Sequence, residues 1–218
     1  MAPPHCYGSV NFCLFQTVRL DALGVPVPGA ESVYVTEAGV ELGISPQVTE
    51  GTVIEQKNGC GKSCIRIVQP DKIFQVNLAA TFCQWDAELA EMLAGYDLWT
   101  REGVTVGAAM PDPSGPDASP TYTEAFSWAV DDEDRAAFGD EEALWRYSFA
   151  KATWAQGDAT LSNAANPLVW NGKVTKNGNI GTGPWDSLPG PLNGPMGWDL
   201  IPVSEAPEAL CGYQALAS

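Results

Sequence analysis

The chain has 218 residues, of which 27 are acidic and 11 basic, so its formal net charge is −16. Binding to nucleic-acid phosphates or to an anionic membrane surface needs clustered Lys and Arg, so this balance argues against both. Apolar residues make up 45%, and 22 Gly with 17 Pro favour many turns and short strands over long helices. Length and composition together predict one β-rich domain over residues 1–218.

The N-terminal segment shows no charged region followed by an apolar run, so we predict no signal peptide. No stretch of about 18 apolar residues occurs either, so no transmembrane helix is expected. A chain made without a secretion signal starts in a reducing cytoplasm, and its six cysteines are then expected to be thiols at synthesis. Residues 1–8 are expected to be irregular. The only histidine, His5, lies in this segment, which argues against a catalytic Ser-His-Asp triad or Cys-His dyad.

Alternation and β-branched runs predict short strands in the first third of the chain, at residues 7–20, 33–36, 52–54 and 64–68. The stretch 44–52 contains Pro46 and Gly51 and is interpreted as a loop or an edge strand, because Pro cannot donate to a sheet ladder. Asn58-Gly59 predicts a tight turn between two of these strands.

Residues 71–95 carry the clearest periodic signal. A half-buried strand is indicated by apolar residues that alternate with polar ones, at Phe74, Val76, Leu78, Ala80 and Phe82. A helix from about Asp86 to Ala94 is indicated by apolar residues at helical spacing, at Trp85, Leu89, Met92 and Leu93. Asp86 is a suitable N-cap, and Gly95 suits the left-handed position that ends a helix.

The second half of the chain predicts further strands, separated by loops. Residues 111–120 are rich in Pro, Ser and Asp and predict a long exposed loop. Aromatic residues of one parity predict two strands, around Tyr122, Phe126 and Trp128 and around Trp145, Tyr147 and Phe149. Residues 168–175 predict a short strand with a hairpin turn at Asn171-Gly172, and residues 178–218 are expected to be irregular. The sum is a mainly β fold, a β-sandwich or barrel, with one flanking helix and long loops.

Motifs that could carry chemistry are weak. Gly61-Lys62-Ser63 lacks the glycine of a phosphate loop at position 56, which is Gln, and a predicted strand follows it where that loop needs a helix. Residues 131–134 lack the glycine and terminal Glu of a calcium loop and are interpreted as a solvated turn. No Glu is expected in an apolar strand setting that would raise its pKa, which argues against glycosidase chemistry.

The state of the cysteines stays open between three alternatives: free thiols, a later disulfide such as Cys60–Cys64, or a zinc site built from Cys6, Cys13, Cys60 and Cys64. Cys83 is interpreted as a small core or sheet residue, and nothing in the sequence decides the state of Cys211. No catalytic, cofactor-binding or metal-binding residue is predicted, and the chain is not expected to be an enzyme.

Three segments together resemble a known family, the major tail (tail tube) proteins of long-tailed, siphovirus-type bacteriophages that infect actinobacteria. The first is residues 54–64, a turn that leads into a strand. The second is residues 71–95, a strand with a Cys near its end, an acidic helix start and a Leu-Ala-Gly helix end. The third is the aromatic strand 145–154, followed by Asn166-Pro167 and then by Gly181-Thr182-Gly183-Pro184-Trp185.

The resemblance implies two packed antiparallel sheets with a flanking helix, in a subunit that forms hexameric, stacked rings around a DNA channel. Its implied partners are further copies of itself, the tape measure, terminator and distal tail proteins, and genomic DNA that passes without specific binding. The implied location is the virion tail, assembled in the host cytoplasm, without membrane contact. An acidic wall would let DNA slide, and we expect Gln75, Asn77 and Thr81 to face a partner or the channel.

Two other interpretations stay open. One is a related virion part, such as a tail terminator, a connector or a minor tail protein. The other is a β-sandwich carbohydrate-binding or glycosidase domain, which a carboxylate pair with raised pKa in a cleft would favour.

Overall fold

A computed structural model describes residues 7–115, 117–131, 141–159, 166–209 and 211–216. Within these ranges the chain is mainly β, with one α-helix, α1 (Ala87–Ala94), and one 3-10 turn, Val203–Glu205. The strands are β1 (Tyr7–Arg19), β2 (Gly29–Thr36), β3 (Gly39–Thr49), β4 (Val53–Lys57), β5 (Ser63–Val68), β6 (Lys72–Phe82), β7 (Asp97–Arg101), β8 (Val104–Ala109), β9 (Thr121–Asp131), β10 (Ala143–Gln156), β11 (Leu168–Thr175), β12 (Met196–Pro202) and β13 (Gly212–Leu216). The predicted fold class, mainly β with packed antiparallel sheets and one helix, is confirmed.

Nine strands form one antiparallel sheet. Eight of them follow the order β13-β2-β1-β9-β10-β11-β6-β3, and the ninth, β12, pairs with β10 off this path. The long strand β10 joins the two parts of this path. Its first half, 143–149, lies between β9 and β12, whereas its second half, 151–156, pairs with β11. The path curls back on itself, because Gly39 of β3 lies directly against the ring of Phe12 in β1. Two strand pairs, β4–β5 and β7–β8, stay outside it.

The core has two parts. One lies under α1 and includes Phe15, Phe82 and Trp170, with Leu89 and Leu93 of the helix. The other is built around Val18, Tyr122, Phe126 and Ile201. Phe15 packs edge-on against Phe82 and Trp154, at ring-centroid distances of 5.2 and 5.9 Å. Strands from both ends of the sequence therefore meet in one apolar interior.

The helix ends follow the sequence closely. Asp86 is the N-cap, and its carboxylate accepts from the amides of Glu88 and Leu89 at 3.0 and 3.2 Å. Gly95 ends the helix in the left-handed conformation with φ 67°. Trp85 was placed wrongly on the helix stripe, because it precedes the N-cap and is 55% exposed. Its indole N–H instead donates to the carbonyl of Asn166 at 3.1 Å.

Replacing Asp86→Ala should destabilise the fold by about 2 kcal/mol, because the helix loses its cap and the hydroxyl of buried Tyr34 loses its acceptor. Urea unfolding of the variant measures the loss. Glu31→Ala, at an exposed position of β2, is the control and should leave the free energy of unfolding within about 0.5 kcal/mol of the parent. Equal stabilities of the two variants would contradict this role for Asp86.

The irregular region predicted over residues 178–218 is wrong in its second half, whereas residues 178–195 contain neither helix nor strand. In that second half, β12 pairs with β10 and β13 pairs with β2, so long-range partners create strands where the local sequence lacks alternation. The hairpin turn predicted at Asn171-Gly172 is wrong as well. Both residues lie within β11, and Gly172 is needed there because the Trp154 ring packs where a side chain would stand.

Two smaller expectations also change. Phe74 was expected in the core but is 55% exposed, because β6 begins beyond the interior that buries Val76, Leu78 and Phe82. The stretch 44–52 belongs mostly to β3, which is an edge strand as one of the two alternatives had it. His5, Cys6 and residues 132–134 lie outside the described residues, as does most of the irregular segment expected at 1–8, whose Tyr7 already begins β1.

Candidate self-assembly surface

The pair β4–β5 forms a hairpin, here called the arm (residues 51–70), in which every strand residue is exposed. Its register places Ile54 opposite Ile67 and Gln56 opposite Ile65, so three isoleucines share one face. Each of these isoleucine side chains is about half exposed, at 49–51%. The arm therefore presents an apolar face that its own chain leaves uncovered.

A hairpin of this kind is not expected to be stable without further contacts. A two-stranded ribbon alone is at best marginally stable in water, and contiguous exposed apolar surface marks interaction sites. The opposite face is also partly apolar, since Val53 lies opposite Val68 and both are exposed. Exposed Val48 and Ile73, which pair where β3 meets β6, continue this surface toward the body. The geometry favours a partner that covers the arm.

The arm has a defined tip. The side chain of Asn58 accepts from the amides of Cys60 and Lys62, at 3.0 and 2.9 Å. The turn predicted at Asn58-Gly59 is confirmed, although the left-handed residue of the loop is Gly61, with φ 77°. Ser63, the last residue of the phosphate-loop-like Gly61-Lys62-Ser63, begins β5, so no helix start is present there to meet a phosphate.

The root of the arm is tightly built. The amide of Gly51 donates to the Asp71 carboxylate at 2.6 Å, and the amide of Gln69 donates to the carbonyl of Thr52 at 3.0 Å. A Cβ on Gly51 would lie 1.7 Å from the carbonyl oxygen of Gln69. The close approach of these two backbones sets the direction in which the arm leaves the body.

A second open surface is the outer face of β3, β6, β11 and the second half of β10. The predicted residues Gln75, Asn77 and Thr81 lie on it and are exposed or half-buried. The register places Asn77 between Ser45 and Lys173, so the face is lined mainly by short polar side chains. The structure brings these residues together on one face, as the alternation predicts.

The charges on this face differ from the acidic wall that the net charge suggests. Among the described residues, the register assigns it one acid, Glu41, and two bases, Lys151 and Lys173. The acidic excess of the chain therefore lies elsewhere. A nearly neutral polar face binds phosphate weakly, because tight binding needs clustered cations.

Sequence reasoning missed one ionisable group. Glu124 is 2% exposed in β9, where burial raises its pKa to about 7. The hydroxyl of Tyr122 donates to it at 2.6 Å. The expectation that no Glu sits in an apolar strand is thus wrong. The signal was present, because Glu124 has the same parity as Tyr122 and Phe126, the aromatic residues that predicted this strand.

A buried ion pair lies beside Glu124. Arg146, 3% exposed, donates from two guanidinium nitrogens to both carboxylate oxygens of Asp199, at 2.9 and 2.6 Å. The same guanidinium donates to the hydroxyl and the carbonyl of Ser187. Asp199 is fully engaged in this pair, so Glu124 and Asp199 do not form the free acid and nucleophile that a glycosidase needs.

The cysteines in the described part of the chain are all free thiols: Cys13 is half-buried, and Cys60, Cys64, Cys83 and Cys211 are exposed. No group of three or more His, Cys, Asp or Glu side chains in that part is placed to hold a metal ion. Cys6, the fourth candidate ligand of the zinc alternative, lies outside the described residues. Cys60 and Cys64 both lie at the tip of the arm.

Neither the known protein-family models nor the curated protein sequences contain a match to this chain. Within the described residues, the helices are too short and too polar to cross a bilayer. Function must therefore be inferred from the surfaces themselves.

Proposed function

We propose that the chain is a structural virion protein, a tail tube subunit that assembles with copies of itself into stacked, hexameric rings around a DNA channel. The observation that carries this proposal is the arm, with its uncovered isoleucine face. A monomeric protein gains nothing from such a hairpin, whereas an assembling subunit buries it against a neighbour.

Two further observations support the proposal. The sheet path ends at β13 and β3, whose outer edges pair with no other strand within the described residues, and a neighbouring subunit can pair with such an edge. The nearly neutral polar face of β3, β6, β11 and β10 suits a channel wall, because DNA can pass such a wall without being bound. This wall needs no acidic lining, and it replaces the acidic one expected from composition.

Negative-stain electron microscopy of the purified chain across a concentration series tests the proposal directly. Rings or hollow tubes that lengthen with concentration are expected. Single rings that never stack would favour the alternative of a tail terminator or connector. A chain that stays monomeric at every concentration would contradict the proposal.

The channel face gives a second test. Asn77→Lys adds a cation directly opposite Lys173, so six copies in a ring would form a basic belt. We expect particles that carry this variant to eject DNA more slowly, with normal tubes, because phosphates bind the belt in transit. Thr100→Lys, at an exposed position of β7 away from this face, is the matched control. Normal ejection by the Asn77 variant, in well-formed tails, would place this face outside the channel.

A further inference from the structure

A groove with a volume of about 490 Å³ lies between α1 and the β7–β8 hairpin. Its floor contains Trp170 and Tyr96, whose rings meet edge-on at 5.9 Å. Its rim carries Trp85 and Val106, which are 55% and 58% exposed. The groove is thus apolar at its floor and has exposed apolar side chains at its entrance.

The charged groups of this groove are all acidic. Among the described residues, two carboxylates line it, Asp86 and Glu88, and no Lys or Arg does. Asp86 is occupied as the helix cap, whereas Glu88 accepts only a long hydrogen bond of 3.4 Å, from Thr105. The groove therefore offers one weakly engaged carboxylate above an aromatic floor.

The floor also has an unpaired donor. The indole N–H of Trp170 is fully buried and has no hydrogen-bond partner within the described residues. An unpaired buried donor is destabilising. The Trp170 side chain is 0% exposed, so this donor lies beneath the groove surface and a docking chain does not reach it.

The arm has the complementary chemistry. It contains three bases, Lys57, Lys62 and Arg66, and one acid, Glu55, which lies opposite Arg66, although the chain as a whole carries a net charge of −16. Its isoleucine face supplies the apolar part of a contact. In the single chain the arm is exposed along its whole length, so it does not occupy the groove of its own subunit.

We propose that the arm of one copy docks in the α1/β7–β8 groove of the next copy, with its lysines against Glu88 and its isoleucines against Trp85 and Val106. This inference rests on the proposed self-assembly and names the two surfaces that meet. The contact is head-to-tail, because arm and groove are different surfaces of the same chain. Such contacts propagate until they close into a ring or continue as a filament.

Charge exchange tests the pairing. The arm variant Lys57→Glu with Lys62→Glu and the groove variant Glu88→Lys should each raise the concentration needed for assembly about tenfold or more, because like charges then meet. A chain with all three substitutions should assemble near the parent threshold, as should a mixture of the arm and groove variants. Sedimentation velocity measures the threshold, and Asp97→Lys, on β7 but outside the groove lining, is the matched control.

The outcomes separate this inference from the function on which it rests. The arm–groove pairing would be overturned if the arm and groove variants both formed rings or tubes at the parent threshold. It would also be overturned if the triple variant assembled no better than the worse of these two variants. Neither result would contradict the proposed tube subunit. If assembly is lost in the arm and groove variants and recovered in the triple variant, but the oligomers are neither rings nor tubes, the tube proposal is overturned and the arm–groove pairing is retained. A parent chain that remains monomeric would overturn both. Circular dichroism of each variant confirms that the fold is retained.

Discussion

Gly51→Ala should abolish assembly while the body of the protein stays folded. The added methyl group would stand 1.7 Å from the Gln69 carbonyl oxygen, so one of the two backbones at the arm root must move. A displaced root changes the direction of the arm, and we expect the concentration threshold for assembly to rise about a hundredfold, equivalent to roughly 2.7 kcal/mol. The core lies away from this site, so the urea midpoint of the body should change little.

The chain offers a close control for this experiment. Gly59 lies at the arm tip, has open space around it and has no left-handed φ, so Gly59→Ala should assemble like the parent. Sedimentation velocity and electron microscopy of both variants measure the difference. Normal tubes from the Gly51 variant would show that arm direction does not govern assembly.

Glu124→Gln should stabilise the protein by on the order of 3 kcal/mol at pH 8 and by less than about 1 kcal/mol at pH 5. Burial raises the pKa of Glu124 to about 7 in the folded state, from 4.5 in the unfolded chain. Between these values the folded protein keeps the proton that the unfolded chain has released, so stability falls as pH rises. Each unit of pKa difference corresponds to about 1.4 kcal/mol. Glutamine cannot ionise, and its amide oxygen can still accept from Tyr122.

The comparison requires urea unfolding of both proteins at several pH values between 5 and 8, below the assembly threshold. Other titrating groups are common to both proteins and cancel in the difference. Glu31→Gln, at an exposed strand position, should differ from the parent by a constant amount across this range. A difference for Glu124→Gln that is equally independent of pH would show that burial does not hold its proton.

Local signals in the sequence were sufficient for some elements. The N-cap Asp86 and the end at Gly95 depend on contacts within a single turn, and both are confirmed. Alternation placed Val76 and Leu78 in the core correctly. It failed at Phe74, because a period of two says which residues share a face and not how far the interior extends.

Features that depend on residues far apart in the chain could not be predicted from the sequence. β12 forms because it pairs with an edge of β10, which lies about 50 residues earlier in the chain. Apolar and polar residues do not alternate clearly in β12 itself. Glu124 is buried because Tyr122 lies beside it and Arg146 of the neighbouring strand closes over it. For the candidate site, the hairpin was predictable from Asn58 and the flanking strands, but its exposure was not. The pattern around Ile65 and Ile67 is equally typical of a half-buried strand, and only the tertiary structure shows both faces open.

The position of β1 in the sheet has a consequence for synthesis. Its partner β9 lies far along the chain, since Thr17 and Thr123, whose hydroxyls meet, are separated by 106 residues. At translation rates of about 5–20 residues per second, β1 emerges roughly 5–20 s before the strand that covers it. The β4–β5 hairpin closes a short loop and can form within about 10 μs. β2 follows β1 closely in the chain and can pair with one of its edges early, whereas the other edge waits for β9. The nascent chain therefore displays the apolar arm and one open edge of β1 together for several seconds.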